Sequence, residues 1–198
     1  HSYNTIKNEY PSLGGNYTVQ HHTEFILTLI TEGKLTITDD LNGKQIVYHD
    51  PCYLGRANGV YDDPRTLIRS LGVDVVEMKR SKSRSFCCGA GGAQMFKDAE
   101  RGDKEINIDR TEEALALKPD IIATGCPFCN TMMTDGVKAV DDGTAEVMDI
   151  ADLMIDAINN DNSIISADCI EDGNYNYLDG LNEDGDAVSY NVCSDGPL

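Results

Sequence analysis

The sequence predicts an α/β domain with a mainly parallel sheet and helices on both faces. Three observations predict it. Short apolar segments alternate with amphipathic segments as far as Ile158. Their spacings suit crossover connections between parallel strands. The chain of 198 residues is also long enough to bury a hydrophobic core without disulfide bonds.

The elements follow from periodicity and from their end signals. Short apolar stretches predict strands, and these are Tyr17–His21, Gln45–His49, Val73–Met78, Asp120–Thr124 and Glu146–Met148. Apolar residues at helical spacing predict helices, and these are Thr23–Glu32, Pro64–Leu71, Asn107–Leu117, Phe128–Val140 and Ile150–Ile158. Gly33 and Gly72 follow the first two helices, and Pro64 opens the second, as is typical of helix ends.

The charge is strongly acidic and uneven. Thirty-four acidic against sixteen basic residues give a net charge of −18. Such a chain repels phosphate backbones and anionic lipid, so we expect no nucleic-acid partner. The segment Ala151–Leu198 holds eleven acidic residues and no Lys or Arg, which leaves −7 for the first 150 residues. Because residues 160–198 also lack apolar density, we expect them to form an acidic, flexible tail.

A weak internal repeat suggests the domain organisation. The strand-then-helix pattern of Asn16–Leu27 recurs at Thr144–Ile155. We therefore expect residues 1–33 to end a preceding repeat and residues 34–159 to form one nearly whole copy. The chain opens on His1 without an initiator Met, a signal peptide or an apolar run of membrane-spanning length, so we expect a C-terminal fragment of a longer protein.

Five of the seven cysteines follow predicted strands. They are Cys52, Cys87, Cys88, Cys126 and Cys129, whereas Cys169 and Cys193 lie in the acidic tail and we interpret them as incidental. The carboxyl ends of parallel strands meet at one edge of the sheet, where ligands bind in open α/β folds. We therefore expect the five thiols to converge there, for metal binding or catalysis.

The thiol pattern favours an iron–sulfur cluster over zinc. Zinc takes four ligands, usually from two Cys-x-x-Cys pairs, and only Cys126–Cys129 has that form. The adjacent Cys87 and Cys88 cannot easily chelate one small ion, but they can reach different irons of a cluster. A structural zinc site in a protein-interaction module is the alternative, and metal-free thiol–disulfide exchange is a third.

The sequence around Cys87 and Cys88 suits an anionic centre. The basic run Lys79–Arg84 precedes the pair and would lower thiol pKa values. The glycine-rich segment Gly89–Ala93 lets backbone N–H groups approach sulfur. His49 could be a ligand or a hydrogen-bond donor behind the ligands, although a histidine at a strand end is more often structural.

These motifs resemble a known family. The order Cys52, Phe86-Cys87-Cys88-Gly89 and Cys126-Pro127-Phe128-Cys129, within about Gln45–Ile158, resembles the cysteine-rich CCG domain. That domain occurs in the B-type and D-type subunits of heterodisulfide reductase and in glycolate and lactate oxidase iron–sulfur subunits. The stretches His49–Arg56 and Cys87–Gly92 look most like the group that passes electrons from electron-transfer flavoprotein toward quinone.

The resemblance implies a Rossmann-like lobe with a [4Fe–4S] cluster, of the non-cubane kind, on Cys52, Cys87, Cys88, Cys126 and Cys129. It implies an oxidoreductase subunit that relays electrons between a flavoprotein or ferredoxin-type partner and a disulfide or quinone pathway. It also implies a cytoplasmic location, at the membrane face if upstream segments or a quinone-reducing subunit anchor it. By the repeat, Ser2 stands near the earlier counterpart of Cys129, which disfavours a second full cluster.

Overall fold

A computed structural model describes residues 1–37, 41–98, 101–140 and 145–158, and the backbone of two strands at 175–181 and 187–193. It divides into two compact units, His1–Ile158 and Asn159–Leu198. In the first unit the helices are α1 (Ser2–Asn8), α2 (His22–Thr31), α3 (Gly55–Asn58), α4 (Asp62–Arg69), α5 (Ile106–Leu115), α6 (Pro127–Val140) and α7 (Ile150–Ile158). Its strands are β1 (Ile46–His49), β2 (Val75–Val76), β3 (Ile121–Thr124) and β4 (Glu146–Asp149).

The four strands form a parallel sheet in the order β2-β1-β3-β4. Strand β1 is central: Ile46 pairs with Val75 on one side and with Ile121 on the other. Every residue of β1 and β3 is buried, as expected for parallel strands covered on both faces. The predicted fold class is confirmed.

Each face of the sheet packs on its own hydrophobic cluster, because successive strand residues point to opposite faces. Ile46 and Tyr48 of β1 pack with buried residues of α4 and α7, while partly buried residues of α2 lie at the edge of this cluster. Val47, between them, packs with buried residues of α5 and α6 on the opposite face. The helices α5 and α6 approach closely at Gly136, where a Cβ would lie 2.1 Å from Oγ1 of Thr111.

Most predicted elements are found with ends shifted by one or two residues, but two predicted strands differ. The prediction of a strand at Tyr17–His21 is wrong: this segment lies beside the cavity described below and forms no strand. The strand predicted over Val73–Met78 is reduced to Val75–Val76. It ends where the carboxylate of Glu77 turns to pair with Arg65 of α4.

The second unit contains β5 (Tyr175–Leu181) and β6 (Ala187–Cys193), which pair antiparallel with Tyr175 opposite Cys193. The composition of this segment did not predict strands. Most of the predicted tail, including Cys169, lies outside the described residues. The boundaries proposed at residues 33/34 and 159/160 therefore stay predictions, as does the flexibility of residues 160–198. In the described part of the chain, no helix has both the length and the hydropathy needed to cross a bilayer.

Candidate metal centre

The five predicted cysteines surround one cavity at the carboxyl edge of the sheet. In the order β2-β1-β3-β4, the connections from β1 and from β3 run to opposite sides. The crevice between these two strand ends is therefore the switch point at which α/β sheets bind ligands. A cavity of about 460 Å³ lies there, lined by Cys52, Cys87, Cys88, Cys126 and Cys129. The chain thus brings together thiols that are up to 77 positions apart in sequence.

A buried ion pair holds the loops that carry Cys52 and Cys87. Asp50, only 2% exposed, accepts hydrogen bonds from both terminal nitrogens of Arg65, at 2.7 and 2.9 Å. The same carboxylate accepts the backbone N–H of Lys82 at 2.8 Å. One side chain therefore ties the end of β1 to α4 and to the loop before Cys87. Such bidentate, charge-assisted bonds fix geometry strongly.

The glycine-rich segment directs backbone N–H groups at sulfur, as the sequence suggested. The N–H of Gly89 lies 3.3 Å from Sγ of Cys87, and that of Ala90 donates to Cys88. Gly89 has φ +94°, and a Cβ there would lie 3.3 Å from Cβ of Ile106. Glycine is therefore required for this turn against α5.

The basic run Lys79–Arg84 contributes less positive charge to the thiols than expected. Two of its four cations pair with carboxylates of the chain. The pairs are Arg80 with Asp109 and Glu113, at 3.0 and 2.7 Å, and Lys82 with Asp62, at 2.8 Å. The guanidinium of Arg80 also lies 4.0 Å from the ring centroid of Phe86. The basic run therefore contributes more to holding the loop before Cys87 in place than to the positive potential in the cavity.

Cys126 lies at the N-terminus of α6, where its carbonyl accepts the first helical bond, from Asn130 at 2.9 Å. Its sulfur accepts hydrogen bonds from the Cys129 thiol and from the backbone N–H groups of Cys129 and Phe128. Together these bonds outweigh burial and lower the pKa of Cys126 to about 6. The positive end of the helix favours the same thiolate form. Both effects favour the thiolate form of Cys126, which is the form that binds metals.

Cys88 is the most connected sulfur of the group. It is 4% exposed, accepts hydrogen bonds from the Cys87 thiol and from His49, and shares the single S–H of Cys129 with Cys126. These bonds hold the pKa of Cys88 far below its usual range, although burial opposes them. Donation to neighbouring sulfurs, together with burial, raises the pKa of Cys129 and of Cys87.

His49 is part of the same cluster. One ligand atom each of His49, Cys88 and Cys129 lie within 4.8 Å of one another. His49 is 1% exposed, and burial lowers its pKa, which favours the neutral ring. Its Nδ1 atom lies 3.0 Å from Nε of Arg110 in α5.

The N-terminal segment forms one wall of the cavity. The ring of His1 contacts the rings of Tyr53 and Phe128, with centroids 4.3 and 5.1 Å apart. Helix α1 is attached to α3 by a hydrogen bond between Asn8 and Asn58, at 2.9 Å. The rings of His1, Tyr53 and Phe128 thus line the cavity on this side.

The donor set suits a thiolate-bound metal centre. Soft sulfur ligands select iron–sulfur clusters or zinc. Five thiols exceed the four ligands of tetrahedral zinc, and the adjacent Cys87 and Cys88 suit a target with several metal atoms. The N–H groups directed at Cys87, Cys88 and Cys126 are the donors that thiolate-bound clusters use to offset negative charge.

Sequence analysis missed three residues that organise this site: Asp50, Arg65 and Arg110. Their buried partners lie 15 to 61 positions away, so no local pattern pairs them. Hydrophobic periodicity gives no signal for Arg110, because three of the four buried residues of α5 are polar or charged: Asn107, Arg110 and Thr111, beside Ala114.

Comparisons with known proteins agree with this geometry. Residues 46–134 match the family model of the CCG cysteine-rich domain. EtfAB:quinone oxidoreductase of Syntrophomonas wolfei is 45% identical over 78% of this chain and 22% of its own length. The probable iron-sulfur-binding oxidoreductase FadF of Bacillus subtilis is 44% identical over 80% of this chain and 22% of its own length. A subunit of the Methanosarcina barkeri dihydromethanophenazine:CoB–CoM heterodisulfide reductase is 35% identical, over 79% of this chain and 38% of its own length.

The chain therefore spans under a quarter of the length of the first two relatives. Both relatives have names that state oxidoreductase activity, and one name states iron–sulfur binding.

Proposed function

We propose that this chain is an iron–sulfur electron-transfer domain of an oxidoreductase. The proposal starts from the premise that the chain belongs to the CCG cysteine-rich domain family through residues 46–134. The single observation that carries the proposal is the convergence of five thiols on one cavity at the switch point of the sheet. Iron–sulfur clusters are held by cysteine thiolates in such settings. The iron–sulfur relative FadF supports the same cofactor class.

The proposed cofactor is a [4Fe–4S] cluster of the non-cubane kind, with Cys52, Cys87, Cys88, Cys126 and Cys129 as ligands. When bound, such a cluster supplies one-electron transfer without proton chemistry. The five side chains come from three separate stretches of the chain, and this supports a polynuclear group better than a single ion. Zinc remains the alternative metal.

The protein residues have three tasks in this proposal. The Asp50–Arg65 pair positions two of the ligand loops. Backbone N–H groups, such as that of Gly89, stabilise negative charge on sulfur. Tyr53 and Phe128 form part of the cavity wall on the side of the N-terminal segment. Hydrogen bonds to sulfur and the solvent exposure of the site set the potential of an iron–sulfur electron carrier.

We further propose that the domain relays electrons between a flavoprotein or ferredoxin-type partner and a disulfide or quinone pathway. The names of the relatives support the two acceptor classes, since one is a quinone oxidoreductase and another belongs to a heterodisulfide reductase. We propose a cytoplasmic location. Because quinones reside in the bilayer, delivery to a quinone would require segments outside this chain, or a quinone-reducing subunit, to hold the domain at the membrane face.

Electron paramagnetic resonance of the anaerobically purified protein, oxidised and then reduced, tests the electron-transfer role. We expect a paramagnetic signal in one of the two states and its loss in the other, together with bleaching of the visible absorbance on reduction. A protein without a redox-dependent signal or absorbance would contradict the proposal.

Substitution of single cysteines tests the ligand assignment. Cys88→Ser should remove most of the iron, because serine replaces a central thiolate by a harder and less acidic donor. Cys193→Ser, the matched control in the tail, should keep the iron content of the parent protein. The measurement is the iron content per chain after anaerobic purification. An equal loss of iron in both variants would refute the ligand assignment.

A further inference from the structure

His49 lies behind the ligand thiols at the end of β1, and its two ring nitrogens have different partners. Nδ1 lies 3.0 Å from Nε of Arg110. The remaining nitrogen, Nε2, is left for the hydrogen bond that joins His49 to Cys88. The side chain is 1% exposed, so water does not compete for either nitrogen.

Arg110 determines which nitrogen of His49 carries the proton. An arginine side chain has five N–H donors and no acceptor, and it is not deprotonated in proteins. Nδ1 of His49 must therefore accept, and the neutral ring has its hydrogen on Nε2. Arg110 is fully buried and cannot turn away easily, because its Nη1 atom donates to the carbonyl of Arg80 at 2.8 Å and to Glu113 at 3.0 Å.

The chemical consequence concerns Cys88. A protonated Nε2 has no lone pair for a metal, although one ring nitrogen of His49 lies within 4.8 Å of the sulfurs of Cys88 and Cys129. The same N–H can donate to the sulfur of Cys88. A hydrogen bond to a ligand thiolate withdraws electron density and stabilises the more negative, reduced state of a bound cluster.

We infer that His49 is a positioning residue and not a ligand: held in its Nε2–H form by Arg110, it donates a hydrogen bond to the ligand sulfur of Cys88 and raises the reduction potential of the centre. This inference rests on the proposed function. It assigns the buried Arg110–His49–Cys88 chain to potential tuning, and it removes His49 from the ligand set of the zinc alternative.

The first test uses the parent protein labelled with ¹⁵N-histidine, with pulsed electron paramagnetic resonance on the paramagnetic state. A hydrogen bond through sulfur gives only a weak ¹⁵N coupling, whereas a metal-bound nitrogen gives a strong one. We expect the weak coupling, and a strong coupling would overturn the inference while leaving the proposed function intact. A protein with no iron–sulfur signal at all would overturn both.

The second test is a redox titration of variants, with iron per chain as the companion measurement. His49→Gln keeps an N–H donor, and we expect iron and potential near the parent values. His49→Leu should also keep its iron, but its reduction equilibrium should shift roughly tenfold toward the oxidised form, about 59 mV for a one-electron couple. Loss of iron in both variants would overturn the inference, and so would an unshifted potential in His49→Leu.

Discussion

At the residue scale, His21 shows how this fold depends on a neutral histidine. Its Nδ1 atom lies 2.8 Å from Oγ1 of Thr23 and accepts the Thr23 N–H at the start of α2. Its backbone N–H donates to Glu24 at 2.8 Å, which completes a capping box. Burial, with a smaller contribution from His22, lowers the pKa of His21 to about 4. Protonation would place a hydrogen on the capping nitrogen.

The folding stability should therefore depend on pH through His21. The pKa of His21 is about 6.5 in the unfolded chain and about 4 in the folded chain, so the unfolded chain binds the proton more tightly. The free energy of unfolding is therefore highest above pH 6.5 and falls as the pH drops from 6.5 to 4. With a discount for partial exposure, we expect a loss of about 1–2 kcal/mol. His21→Asn keeps a capping acceptor and removes the titration. Urea unfolding at a series of pH values should show a shallower decline for this variant, and parallel declines would contradict the assignment.

Also at the residue scale, the cysteines could be predicted but their buried partners could not. Cys52 and Cys126 each follow an apolar strand, and that local signal places both at one edge of the sheet. The hydrogen bond between Arg110 and His49 joins residues 61 positions apart, and only packing of α5 against the sheet reveals it. Sequence patterns thus indicate which thiols lie close together, but not which buried residues position them or shift their pKa values.

At the scale of the element, the ion pair between Asp50, which directly follows β1, and Arg65 of α4 connects these two elements. Both side chains are at most 2% exposed. Asp50→Asn removes the buried one of the two carboxylates that bind the Arg65 guanidinium and leaves Glu77 in place. Breaking a buried ion pair costs about 3–5 kcal/mol, and we expect a loss at the lower end of this range because Glu77 remains. Asp74→Asn is the matched control, because Asp74 is 93% exposed and pairs with Arg69 at 3.4 Å, a contact worth under about 1 kcal/mol.

Chemical denaturation of the two variants checks this prediction. We expect a large drop in the free energy of unfolding for Asp50→Asn and almost none for Asp74→Asn. Equally small changes in the free energy of unfolding in both variants would show that the contact between β1 and α4 does not depend on the ion pair.

The elements also show where the periodicity of apolar residues is sufficient to predict a helix or a strand. The helix Ile150–Ile158 is predicted with its observed ends, since its apolar stripe packs directly on the sheet. The strand predicted at Tyr17–His21 fails because an alternating pattern also fits a segment whose side chains face a cavity. Val73–Met78 is shortened by the ion pair of Glu77 with Arg65, a tertiary contact that overrides strand propensity.

At the scale of the whole molecule, the site belongs to one unit. All five cysteines lie within the first compact unit, which ends at Ile158. We therefore predict that a chain truncated after Asn159 keeps the iron content and the melting temperature of the first unit. Iron analysis and thermal unfolding of the truncated and full chains check this. Loss of iron on truncation would show that residues 160–198 support the site.

The metal composition of the anaerobically purified full chain tests the central proposal most directly. We expect a brown protein that contains iron and acid-labile sulfide in comparable amounts and little zinc, because thiols from three separate stretches of the chain line a single cavity. A colourless protein with one zinc per chain, or one without any metal, would contradict the account.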